Sequence, residues 1–213
     1  MVLVMNMKKQ LAVLVLVILS GVSFCMTVEA KSADTLLADV VSLKLGMNGY
    51  LIGSQLDAAA KEIAAKNPVD GAYDGTYKFK DKGLHVVVDS RTDRILALYK
   101  QTKDAGKDDL KATVVELMSR FNEPTTMAHD KILYWAFNKH GAVTEDDFNK
   151  AKKVKQTAGL DIIATVKLNS EMKISPDPKE GEADAGKIDA TGSVYFIITS
   201  EPLVKQFMAD QEQ

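Results

Sequence analysis

A single cysteine, a single tryptophan, three histidines and five prolines stand in a chain of 213 residues. One cysteine cannot build a disulfide scaffold, a CxxC redox pair or a thiolate-rich metal site. Nor is there a surplus of either charge: 27 basic against 29 acidic residues give a formal net charge of −2. That balance removes the clustered lysine and arginine on which nucleic-acid affinity rests. With 46% hydrophobic and 26% charged residues, the composition excludes disorder and collagen-like repeats. Long apolar runs are missing too, except at the start.

At the start, Lys8 and Lys9 precede nine unbroken apolar residues, Leu11 to Leu19, and small residues then lead to Val28, Glu29 and Ala30. A basic beginning, a short apolar centre and small residues before the cut are the parts of a secretory signal peptide, with cleavage expected after Ala30. A membrane span needs about twenty apolar residues, so no stable span is expected in the mature form. Met7, directly before the two lysines, is a second candidate start beside Met1. Bacterial lipid attachment wants a small residue before the modified cysteine, whereas Phe24 precedes Cys25, so no anchor is expected there. The mature body, 31–213, then has no thiol and carries 25 basic and 28 acidic residues. Its acidic excess comes from 171–190, which holds six acids and three bases.

The body reads as α+β with an internal duplication. A lead-in, Lys31 to Leu45, predicts a short helix or strand. Ser54 with Asp57 predicts a capped helix through Leu56, Ala59, Ala60 and Ile63, stopped by Asn67 and Pro68. Three strands follow: one around Tyr77 and Phe79, Leu84 to Asp89, and Ile95 to Tyr99, with Ser90 to Asp93 as a polar turn. The second half repeats the order. Asp108 or Asp109 caps a helix carrying Val114, Leu117, Met118 and Phe121, ended by Pro124. Strands are then expected at Ile132 to Phe137, around Gly159 to Ile163 (matching Gly83 to Val87), and at Val194 to Thr199. Pro202 opens a C-terminal helix through Leu203 and Phe207.

Two insertions interrupt the second copy. In 138–157, Thr144 and Asp147 form a capping box, acids stand at the start and lysines at the end, and the apolar face is thin, so a surface helix is expected. The other, 171–192, holds Pro176, Pro178, Gly181 and Gly186 and reads as a long hairpin loop. The boundaries are therefore 1–30 for the leader, 31–103 for the first module and 104–213 for the second. This frame of capped helix, proline, aromatic strand and Gly-Leu strand resembles the tandem α+β modules of the beta-lactamase-inhibitor-protein-like fold. The small outer-membrane-assembly lipoproteins have one copy of that fold. The resemblance implies a secreted periplasmic protein of the cell envelope.

Catalytic signatures are scarce. No Gly-x-Ser-x-Gly elbow, His-Glu-x-x-His helix or dinucleotide fingerprint occurs, and the turn glycines Gly46, Gly49 and Gly53 lack the strand that a phosphate loop requires. His85 lies in an alternating strand and reads as a partly exposed sheet histidine. His129 and His140 offer no third ligand, so neither metal nor cofactor is expected. Trp135 and Tyr134 alternate on one strand, so one of them leaves the core of its module. It becomes either a junction between modules or an aromatic surface for a protein or peptide partner. The reading is a periplasmic, non-enzymatic binding protein using Tyr134 or Trp135. The alternatives are an envelope hydrolase with His129 as base and Asp130 as its orienter, and a structural envelope component. Mass spectrometry of the exported protein checks the leader: a mature chain beginning at Lys31 is expected, and a lipidated Cys25 contradicts it.

Overall fold

The computed structural model describes residues 33–172, 174 and 191–211. The start at Met1 or Met7, Cys25, the cleavage point after Ala30 and most of the 171–192 insertion lie outside the described residues. The lead-in is helical, α1 (Ala33–Ser42). A two-strand hairpin follows, β1 (Gly46–Met47) and β2 (Tyr50–Leu51), turned by Asn48 and Gly49. Both turn residues have positive φ, 54° and 89°, the geometry for which Asn-Gly is favoured. Gly46 is equally constrained, because a Cβ there would collide with the Tyr50 carbonyl.

Helix α2 (Ala58–Lys66) begins three residues later than the expected Ser54 cap. The cap is Asp57, whose carboxylate accepts from the Ala60 N–H at 2.8 Å. Ser54 is otherwise engaged: its carbonyl accepts from Ile95 N–H, and Leu56 N–H donates to Asp93 O. Those long-range bonds tie Ser54 and Leu56 to residues 93–95, which delays the helix. Asp93 also anchors α2 to the sheet, accepting from the Lys61 ammonium at 2.6 Å and the Tyr77 hydroxyl at 2.9 Å.

The sheet strands are β3 (Thr76–Asp81), β4 (Leu84–Asp89), β5 (Ile95–Ala105), β6 (Thr126–Ala128), β7 (Ile132–Asn138), β8 (Gly141–Ala142), β9 (Ala164–Ser170) and β10 (Gly192–Thr199). All pairings are antiparallel, in the order β3-β4-β5-β10-β9-β7-β6, with β8 on the far end of β7. Between β5 and β6 lies α3 (Lys107–Phe121), capped at Gly106, whose N–H donates to the Asp109 carboxylate at 2.9 Å. The cap expected at Asp108 or Asp109 therefore falls two to three residues earlier, at Gly106, and Asp109 serves it from inside the first turn. The insertion forms α4 (Glu145–Lys153) with Thr144 as cap and no buried residue, a surface helix as its thin apolar face implies. The last helix is α5 (Glu201–Gln211), with Leu203 and Phe207 buried.

One expected strand is displaced. Thr157–Leu160 is a 3-10 turn, Asp161 is left-handed, and β9 starts only at Ala164. The match of Gly159 to Ile163 with Gly83 to Val87 is therefore one of residue type; the strand paired to the sheet lies just beyond it. Ile163 N–H already donates to Phe137 O at 2.8 Å, which sets where the ladder begins.

One sheet face is apolar and closed. Cross-strand partners Phe79, Val86, Leu98, Ile198, Val166 and Trp135 share it, and all are buried. Val40 of α1, Leu117 and Phe121 of α3 and Leu203 of α5 join the same core. Burying one such side chain contributes about 1.5–3 kcal/mol. A one-residue slip in any strand would expose its whole apolar set, so this face fixes the register. Trp135 is 1% exposed, stands 6.5 Å from the Phe121 ring, and its indole N–H donates to Asn122 O at 2.9 Å. Its truncation leaves both a cavity and an unpaired carbonyl. Trp135→Ala should lower unfolding stability by about 3–5 kcal/mol in urea titration, and a change below 1 kcal/mol would contradict this packing.

Candidate functional site

The opposite face of the sheet is open. On β9 and β10 the inward side chains of Val166, Leu168, Phe196 and Ile198 are buried, whereas the alternate residues Thr165, Lys167, Asn169, Tyr195, Ile197 and Thr199 remain partly exposed. Period-two alternation produces this division, and among the described residues the core helices pack on the other side.

Strand register assembles the open face into rows. One row crosses seven strands through direct partners: Lys80, His85, Tyr99, Ile197, Lys167, Tyr134 and Thr126. Strands lie about 4.8 Å apart, so the row runs about 29 Å. One neighbouring row is built of small side chains at its centre, Ala97, Thr199, Thr165 and Ala136. The other carries Gln101, Tyr195, Asn169 and Ile132. Large, flat side chains thus stand beside a shallow trough.

The large side chains are held in place. His85 and Tyr99 stack at 4.6 Å between centroids, 5° from parallel. Asn169 Nδ2 donates to Tyr195 Oη at 3.3 Å. Burial, with the Glu201 carboxylate adding to it, pushes the Tyr134 phenol up to about 12, so its hydroxyl stays protonated and able to donate. Burial and the positive charges of Lys80 and Lys78 push the His85 imidazole below its ordinary value of 6.5. Its Nδ1 is buried without a hydrogen-bond partner, so the ring is held by stacking and not by a proton network.

The two aromatic candidates of the sequence therefore part company. Tyr134 lies on the open face, and Trp135 lies in the core beneath α3. Sequence reasoning did not single out Tyr99, Tyr195 or Lys167; alternation along β5, β9 and β10 was the available signal, but partnership across strands was not visible. His129 and Asp130 occupy the exposed β6-β7 turn, both at positive φ. No hydrogen bond joins their side chains, and the bond made there is from Ile174 N–H to the Asp130 carbonyl at 2.6 Å. A base and its orienter act through such a bond, which is not formed in this turn. Among the described residues no three His, Cys, Asp or Glu side chains converge as metal ligands, and no helix is long and apolar enough to cross a membrane.

A second concavity, about 1040 Å³, lies between α3 and the edge strand β6, lined by Leu110, Val114, Met118, Met127 and Leu133. It lacks the rigid aromatic side chains of the sheet face.

The His85 environment has a consequence for stability. Because the folded imidazole resists protonation, the unfolded chain is the better proton acceptor just below 6.5. This contribution is present in full above that value and is lost as pH falls through it. The urea midpoint should therefore drop between pH 7.5 and pH 5, and His85→Gln should shrink the drop; an unchanged pH profile in the variant would refute this account. In comparisons with known proteins, the chain matches no family model, no curated protein and no solved structure.

Proposed function

We propose that this is a secreted, non-enzymatic periplasmic binding protein that engages a protein or peptide of the cell envelope through the open face of its sheet. The observation that carries the reading is the ordered row of His85, Tyr99, Ile197, Lys167 and Tyr134. Stacked or half-buried aromatics lose little side-chain freedom on binding, which is why they dominate contact energies at interfaces. An antiparallel sheet needs one apolar face for folding and leaves the other available for contact.

We also propose that the sheet descends from two tandem modules of the beta-lactamase-inhibitor-protein-like kind. In support, β3-β4-β5 and β7-β9-β10 are each a run of three antiparallel strands, preceded by α2 and α3 respectively. In each run a short segment after a proline position pairs with the aromatic strand: Pro68 bridges to Phe79, and Thr126–Ala128 pairs with β7. The 138–157 insertion decorates the second copy with α4, a helix that buries no residue.

The test uses the whole mature protein, immobilised in envelope extract, against a Tyr99→Ala/Tyr195→Ala variant. Wild type should retain a defined partner and the variant should lose at least tenfold of it, with a thermal midpoint within a few degrees. Equal retention by a folded variant would remove the face from the function.

A further inference from the structure

The open face is unevenly charged. Its registered strand positions carry Lys78 and Lys80 on β3 and Lys167 on β9, against one acid, Asp89 at the end of β4. Asp89 is already engaged, accepting from Thr92 Oγ1 at 2.6 Å and from Arg91 N–H at 2.9 Å. Two carboxylates at the margin are likewise occupied. Glu171 accepts from Ser193 N–H at 2.7 Å, and Glu201 pairs with Lys205 at 2.7 Å. The Lys78 ammonium donates to Gly71 O at 3.2 Å. Among the described residues, Lys80 and Lys167 make neither a hydrogen bond nor an ion pair through their side chains.

Lys167 is the informative one. It is half-buried in the row between Ile197 and Tyr134, and neither of these neighbours supplies a counter-charge. At the other end of the row the ammonium groups of Lys80 and Lys78 stand close enough to His85 to add to the burial that lowers its affinity for a proton. Most of the protein's remaining charge is balanced or acidic, so the cationic character is local to this face.

Resting on the reading of the open face as the binding surface, we infer that its partner is an acidic polypeptide segment. Its carboxylates would meet Lys80 and Lys167, and its apolar side chains would cover Tyr99 and Ile197 between them. Four strand intervals separate the two lysines in the row, about 19 Å. An extended segment rises about 3.3 Å per residue with side chains alternating, so acids six residues apart point the same way and span that distance. Residues two and four places after the first acid then stand over the aromatic centre. A long polyanion such as nucleic acid fits less well, because it would run past the row onto a surface whose charges are balanced.

The probe is a capped seven-residue peptide with glutamate at both ends, leucine third, phenylalanine fifth and threonine elsewhere. It is titrated into the mature protein by amide NMR. Shifts should map to β4, β5, β10 and β9, weaken with added salt, and require about tenfold more peptide when both glutamates are glutamine. Lys80→Glu with Lys167→Glu should abolish binding of the glutamate peptide and confer binding of its lysine counterpart, a rescue that also shows the variant is folded. If the glutamine peptide binds the face equally well, the acidic partner is overturned while the binding face stands. If neither peptide perturbs the face, the acidic partner is again overturned, and the capture experiment on the Tyr99 and Tyr195 variant decides the face separately. Tighter binding of a twelve-nucleotide thymidine strand, or of phosphatidylglycerol vesicles, would also overturn it.

Discussion

The pairing of β5 with β10 is the constraint on which the rest depends. Strands that are about ninety residues apart in the chain meet in seven registered pairs, from Ala97 with Thr199 to Ala105 with Gly192. Without that seam the chain would offer two small sheets, each with a free edge and a fraction of the present core. With it, Leu98 and Ile198 stand side by side under the helices, and Tyr99 and Ile197 stand side by side on the open face. The same hydrogen-bonded ladder therefore closes the core and assembles the candidate surface.

A sheet covered on one side divides its residues by a simple physical rule. Inward positions gain by leaving water, and their register is fixed by the loss that any slip would bring. Outward positions are freed from that demand and can carry groups that would be unfavourable inside, such as Lys167 between two large side chains. Lys78, Lys80 and Lys167 stand on the open face, while Asp57 caps α2, Asp109 serves the Gly106 cap from the first turn of α3, and Asp89 and Asp93 hold turns.

Much of the local structure was legible because its signals are local. Leu84 to Asp89 is rich in β-branched residues and is a strand over that span; Thr144 caps α4; Pro202 lies in the first turn of α5. Errors arose where distant bonds overrode local preference. Ser54 is a good cap residue in a good position, yet its carbonyl is taken by Ile95, and the cap passes to Asp57. Gly159 to Ile163 has strand-like residue types, yet the chain turns through it and joins the ladder at Ala164.

The sequence by itself determined the α+β character, the thiol-free body and the fact that Tyr134 and Trp135 face opposite ways, since each follows from composition or from a period of two. Only the tertiary structure decided which of the two is buried, because that depends on where α3 settles and on Asn122 meeting the indole. It alone aligned Lys80, His85, Tyr99, Ile197, Lys167 and Tyr134, whose register is set by pairings between strands that no local pattern relates.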